Sequence, residues 1–268
     1  MSRLCWLSDT HFNVLPRRWR QKLFVNNIKS WSPDYLLITG DITTGKSIES
    51  DLIWLSESFQ EQKIFFVMGN HDYHGRSFQE VNEGVQTISS IHGNLTWLSR
   101  AGVTTLVPGV AIIGNEGWYD ASHGDPSLLK YTIDWLFIKE LREQLTMNDR
   151  IDMFIDLAES ATISLEHSLI EALQDHDVVY VATHFPPWPA ATTIPGTRLE
   201  QFWLPYSVNG AMGAMIEKIS REFPAKQINV LSGHTHIPVT AQITPNVMCQ
   251  VNRATRWGRL HEKSMIQL

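Results

Sequence analysis

Cysteine is scarce in this chain: two in 268 residues, Cys5 and Cys249, each inside an apolar run. That is too few for a disulfide framework and fits a reducing compartment, where both read as small buried hydrophobes. No stretch approaches the roughly 18 uninterrupted apolar residues of a membrane span. The start, MSRLCWLSDTH, lacks a basic leader followed by a long apolar region. The expected location is the cytoplasm. Positive charge is also in deficit, and a net charge of −6 argues against long-range attraction of nucleic acid or anionic lipid. An anionic substrate must be drawn in locally. Internal repeats, low-complexity tracts and clear linkers are missing too, so residues 1–268 read as a single domain.

What is present is a set of short apolar runs: RLCWLS at 3–8, YLLIT at 35–39, IFFVM at 64–68, VVYVA at 178–182 and INVLS at 228–232. Near-continuous apolarity over such lengths suits strands covered on both faces. Helical patterns separate the first three. Ser47 stands before a stripe of Ile48, Leu52, Leu55 and Phe59, and Ser77 with Glu80 forms a capping box ahead of Phe78, Val81, Val85 and Ile88. Strand and helix alternate, the pattern of an α/β protein. Two more strands are expected within 104–115.

Residues 116–177 lose the β pattern and end in a helical run with Ile163, Leu165, Leu169 and Leu173, so this segment reads as a helical insertion. A second irregular stretch, FPPWPAATTIPGTRLEQFWLPYSVNG from 185, is too long for a plain connector and suits a binding rim or lid. Within it Trp188, Trp203 and Tyr206 fit loop packing and base stacking equally well. The tail from IPVTAQI through VMCQVN reads as a closing hairpin.

Each of the five runs is followed at once by residues able to bind a metal: DTH at 9–11, GD at 40–41, GNHD at 69–72, TH at 183–184 and GHTH at 233–236. Four-residue windows at those ends hold five of the eleven histidines, where even scattering would give about 0.8. Residues far apart in sequence can converge at the carboxyl ends of the strands, the ligand crevice of open α/β sheets. Glycine at 40, 69 and 233 lets the chain turn sharply there. Asp9 and His11, like His234 and His236, are two apart, which in extended chain turns both side chains to one side.

The donors gathered this way are Asp9, His11, Asp41, Asn70, His184, His234 and His236. They exceed the needs of one tetrahedral ion and suit two ions that share a carboxylate. Such a site stays positive with both aspartates ionised and draws in phosphate, and metal-bound hydroxide is the expected nucleophile. His71 is left over. Histidine's ordinary pKa, about 6.5, suits proton donation to a departing oxygen; His71 is the expected general acid, with Asp72 as the carboxylate that orients it.

At these residues the sequence resembles the calcineurin-like metallophosphoesterase family, whose ordered motifs D-x-H, G-D, G-N-H-[DE], H and G-H-x-H match Asp9 to His11, Gly40 to Asp41, Gly69 to Asp72, His184 and Gly233 to His236. The resemblance implies a four-layer αββα sandwich of two mixed sheets flanked by helices. It also implies one metal on Asp9, His11, Asp41 and His236 and a second on Asp41, Asn70, His184 and His234, with Asp41 bridging. The cofactors would be two divalent or trivalent ions, manganese, iron or zinc.

The serine/threonine phosphatases of the superfamily carry G-D-x-x-D-R-G and R-G-N-H-E. Here GDITTG and MGNHD lack the second acid, the arginines and the glutamate, which disfavours a phosphoprotein substrate. HFPPW after the fourth run looks more like the bacterial members that include cyclic nucleotide phosphodiesterases. The expected partner is therefore a small phosphorylated molecule, a phosphodiester or nucleotide. A metal-dependent nuclease and a non-catalytic protein-binding module on the same fold are the alternatives. PRRWRQK at 16–22 reads as a solvated helix start, although Arg17 or Arg18 could contact a substrate phosphate. His74, His123 and Asn115 are rim candidates; substrate-binding residues and oligomeric state are left open.

Overall fold

Alternation of side chains along each strand decides how the layers stack. The computed structural model describes residues 2–14, 17–192 and 202–268, except for the side chains at 17–20, 257 and 263. Strands β1 (Arg3–Leu7), β2 (Tyr35–Thr39), β3 (Lys63–Val67) and β4 (Leu95–Trp97) run parallel, in register from Leu7 to Ile38 to Phe66. A short antiparallel strand at Met265–Gln267 closes the β1 edge. In the second sheet β5 (Thr104–Val107), β6 (Val110–Gly114), β7 (Val178–Ala182), β8 (Gln227–Ser232), β9 (Val239–Thr244) and β10 (Val247–Val251) lie in the order β5-β6-β7-β8-β10-β9, with parallel pairs inside and antiparallel edges.

Odd and even residues go to different cores. Leu4, Trp6, Leu37, Phe65 and Val67 meet Ile112, Ala182 and Leu231 between the two sheets. Cys5, Leu7, Leu36, Ile38, Ile64 and Phe66 point outward and are covered by α1 (Arg17–Lys29), α2 (Ile48–Ser58) and α3 (Phe78–Ile91) through Phe24, Ile28, Leu52, Leu55, Val81 and Val85. Burial on both faces is why these runs carry almost no polar residue. After α4 (Leu98–Ala101), the short α5 (Asp134–Phe137) and α6 (Lys139–Glu143), the second sheet is covered by α7 (Met147–Asp175) and α8 (Gly210–Glu222). The architecture is the expected sandwich of two mixed sheets flanked by helices.

Two local expectations are refined. Segment 116–177 is rich in helix, but Ala161, Leu165, Leu169 and Leu173 of α7 pack on Val179 and Val181, so the end of the segment is an outer layer of the sandwich. Ile163 faces solvent, 49% exposed. The capping box at Ser77 is formed in full, whereas Ser47 precedes α2 without a side-chain cap. No helix among the described residues is long and apolar enough to cross a membrane.

Candidate metal centre

Because the inner strands of each sheet are parallel, their carboxyl ends share one rim, and the loops leaving that rim bond to one another. Asp9 N–H donates to Gly40 O (3.1 Å), His11 N–H to Asp41 O (2.9 Å), and Gly233 N–H to His184 O (3.0 Å). The chain does this in unusual conformations. Asp9, His11, Asp41, His234 and His236 all have φ between 43° and 68°, a region that residues with a Cβ enter at a cost of about 1–3 kcal/mol each, when the surroundings over-determine them. Convergence of Asp9 with His11, and of His234 with His236, therefore comes from left-handed turns and not from the extended alternation their spacing suggested.

Of the three glycines, Gly40 has the positive φ, +83°. Gly69 serves close approach: a Cβ there would sit 2.2 Å from Asp41 Oδ1 and 2.7 Å from His184 Nε2.

All seven expected donors come together. Asp9, His11, Asp41 and His236 each offer an atom within 4.8 Å of the others. Asp41 is divided between two groups: its Oδ2 faces His11 Nε2 (3.6 Å), while its Oδ1 faces His184 Nε2 (3.4 Å).

The second group is oriented by hydrogen bonds to its far side. His184 Nδ1–H donates to Thr39 O (2.9 Å), which turns Nε2 toward Asn70 Oδ1 at 3.1 Å. The amide of Asn70 is held with that oxygen toward His184 because its Nδ2 donates to Asp134 Oδ1 (2.8 Å). His234 Nε2–H donates to Tyr206 O (3.0 Å), which leaves Nδ1 as its free donor atom. A carboxylate, an amide oxygen and imidazole nitrogens converging in this way are donors that a cation brings together, with second partners fixing their orientation. The donor set fits two metal ions.

Protonation follows the same layout. Burial pushes His11 down to about 4 despite Asp41 and Asp9, and burial with His184 beside it pushes His234 to about 4. Both imidazoles are neutral at pH 7. Burial pulls His236 down as well, but its hydrogen bond to Asp9 (3.1 Å) and the charge of that carboxylate prevail and raise it. The buried carboxyl of Asp41 is held well below the usual range by His184, His71, His11 and His234.

His71 lies beside this centre, 32% exposed, with Nε2 3.9 Å from Asp41 Oδ2 and its backbone N–H on Asp41 Oδ1 (3.0 Å). Asp72 is corrected. Its carboxylate accepts from the backbone N–H groups of Ile42 (3.2 Å), Thr43 (2.7 Å) and Gly69 (2.9 Å) and does not bond the His71 ring. Burial and Asp41 push it up to about 7. Its work is to tie the 41–43 turn to the 69–72 turn.

Among the rim candidates, His74 is buried and pairs with Asp134 (2.7 Å), its ring 4.5 Å from that of His71, and Asn115 is buried in a turn bonded to Gly117 N–H. His123 stands near Gly210, away from the centre. The side chains of Arg17 and Arg18 lie outside the described residues.

Asp134 is the residue that sequence reasoning missed. Buried on the helical segment, it accepts from Asn70, His74, Tyr119 (3.0 Å) and Thr132 (2.9 Å), and those donors keep its carboxyl low against burial. An isolated aspartate in TIDW carries no motif that could have flagged it.

A family model described as calcineurin-like phosphoesterase matches residues 2–238. Among solved structures the chain is similar to a dimetal phosphatase from Danio rerio, with TM-score 0.62 and 10% identity over 94% of this chain and 87% of that one. It is also similar to the protein TT1561 of Thermus thermophilus, with TM-score 0.56 and 14% identity over 96% and 90%. At such identities the likeness is one of fold. No curated protein matches the sequence.

Proposed function

The chain belongs to the calcineurin-like phosphoesterases, and from that premise we propose that it hydrolyses a small phosphate ester, a phosphodiester or nucleotide, at the rim shared by the two sheets. Asp9, His11, Asp41 and His236 would hold one ion and Asp41, Asn70, His184 and His234 the other, from manganese, iron or zinc. When bound, the ions supply the Lewis acidity and the activated water that phosphoryl transfer needs. The observation that carries this reading is the split of Asp41, one oxygen toward each donor group.

The chain's own part in the reaction centres on His71. Its imidazole is open to solvent on one side and faces Asp41 on the other. As the new P–O bond to water forms and the ester P–O bond breaks, Nε2–H of His71 gives its proton to the leaving oxygen, and the proton lost by water passes to solvent. His74, its ring 4.5 Å from that of His71 and anchored on Asp134, limits how far the His71 ring can swing. The net charge of −6 weighs against a long nucleic-acid track, and a full ligand set weighs against a non-catalytic module. Two free, buried cysteines support a cytoplasmic setting.

The test is hydrolysis of bis(p-nitrophenyl) phosphate by manganese-loaded protein. His71→Ala is expected to lower kcat by about 10²–10⁴-fold while elemental analysis finds the metal content unchanged. Protein that takes up no metal and cleaves no ester would overturn the reading.

A further inference from the structure

Burial separates the three loop aromatics that the sequence could not. Trp188 is buried and donates Nε1–H to Glu217 (2.9 Å); Tyr206 is 5% exposed and holds His234 through its carbonyl. Trp203 is different, 47% exposed. It meets Tyr206 edge-on at 5.2 Å and Phe202 at 5.7 Å, and Phe202 lies 5.5 Å from the half-exposed Tyr131. Tyr131, Ile133, Trp203 and Ile237 line one cavity of about 550 Å³ together with Asp41, Asn70, His71, His234 and His236. Apolar surface this open, continuous with the reactive centre, marks a ligand site.

Charge narrows the ligand. No lysine or arginine is among the described residues lining the cavity, so those residues offer no cation to a second phosphate. Tyr131 and Trp203 bring half-exposed aromatic rings to the cavity wall, with the exposed side chains of Ile133 and Ile237 beside them. Exposed aromatic faces suit a flat heterocycle better than an acyl chain, which wants an unbroken aliphatic surface. The volume is that of a site for one drug-sized group.

We propose that this cavity binds the nucleoside portion of the substrate, its base against Trp203 and its single phosphate over the proposed metal donors. The proposal rests on the phosphoesterase reading for the phosphate and on the cavity alone for the base.

Calorimetry with the metal-free full chain tests the second part by itself. Adenosine is expected to bind where ribose does not, Trp203→Ala to weaken adenosine by at least about tenfold, and Trp203→Phe to restore most of it. With manganese-loaded protein, Trp203→Ala is expected to shrink by a similar factor the kcat/KM preference for a nucleoside cyclic phosphate over glycerol cyclic phosphate. Adenosine binding that is absent, or equal in wild type and Trp203→Ala, would overturn the proposal. So would a larger kcat/KM for a short-chain glycerophosphodiester lipid than for the nucleoside ester. Loss of all ester cleavage with adenosine binding intact would strike the phosphoesterase reading and leave the cavity assigned.

Discussion

The strand-end loops and the segment that closes over them build one site by opposite means. The loops hold Asp9, His11, Asp41, His234 and His236 in left-handed backbone, tied by main-chain hydrogen bonds within each sheet's rim and across the two rims by His234 N–H on the Asp9 carboxylate (3.2 Å). The covering stretches, residues 118–175 with 185–192 and 202–206, are held by aromatic packing, Trp118 and Tyr119 on Phe154 and Phe185, and reach the centre through Asp134 and the Tyr206 carbonyl. Among the described residues, five of the seven non-glycine residues with positive φ are proposed metal donors. The proposed donors are thus set by short local sequences, while the orientation of two of them, Asn70 and His234, is supplied from far along the chain.

Removing the residue shared by both donor groups should break the strand-end half outright. Asp41→Asn takes a charge from both ion positions at once; losing several kcal/mol of transition-state stabilisation corresponds to a drop in kcat/KM of more than about 10³-fold. Metal analysis should find well under two ions per chain. An Asp41→Asn protein that keeps both ions and its turnover would show that the carboxylate does not bridge.

The covering half should fail more gently. Asp134→Ala frees the Asn70 amide to rotate and leaves His74, Tyr119 and Thr132 without their acceptor. Loss of an outer partner of a ligand typically costs about 10–100-fold in metal affinity. Asp134→Asn retains an oxygen for Asn70 and should fall between the two, as read by chelator competition. Equal metal affinity in wild type and Asp134→Ala would reduce Asp134 to a packing residue.

The same division governed what could be read before the structure. Metal ligation needs rare side chains directly after strands, so five segments announce themselves through histidine, aspartate and glycine placed behind apolar runs. Even so, spacing suggested an extended geometry for Asp9 and His11 where the chain is left-handed, because a two-residue interval says nothing about φ. Asp72 looked like the partner of His71 by adjacency, yet its oxygens are taken by three amides whose positions depend on the fold. Asp134 was invisible: its partner Asn70 lies 64 residues away. The strands Leu95–Trp97 and Met265–Gln267, three residues each, are too short to show a period of two.

Proton competition offers a finer probe of the loops. His11 and His234, near 4, have no proton to give up at neutral pH, whereas His236 is raised by Asp9 and must lose its proton to bind a metal. Affinity at the position shared by Asp9, His11 and His236 should therefore weaken as pH falls through the His236 pKa. One proton exchanged per ion gives at most about tenfold per pH unit. Manganese titrations in buffers of different ionisation enthalpy would count that proton. Affinity independent of pH between 8 and 6 (roughly the span over which such a group titrates) would remove His236 from the ligand set.

The smallest effect is expected where the sequence was most explicit. Ser77 follows the GNHD turn by five residues and was legible as a cap because both halves of its box are local: Ser77 Oγ accepts from Glu80 N–H (3.1 Å), and Glu80 accepts from Ser77 N–H (3.2 Å). Ser77→Ala should cost about 1 kcal/mol of stability, read from a denaturant midpoint at unchanged slope. Because α3 packs on the outer face of the first sheet through Val81 and Val85, on the side of the strands away from the second sheet, kcat should not move. A change in kcat would mean that the cap also sets the turn carrying Asn70 and His71, and the separation between a rigid catalytic edge and its supporting helices would not extend to α3.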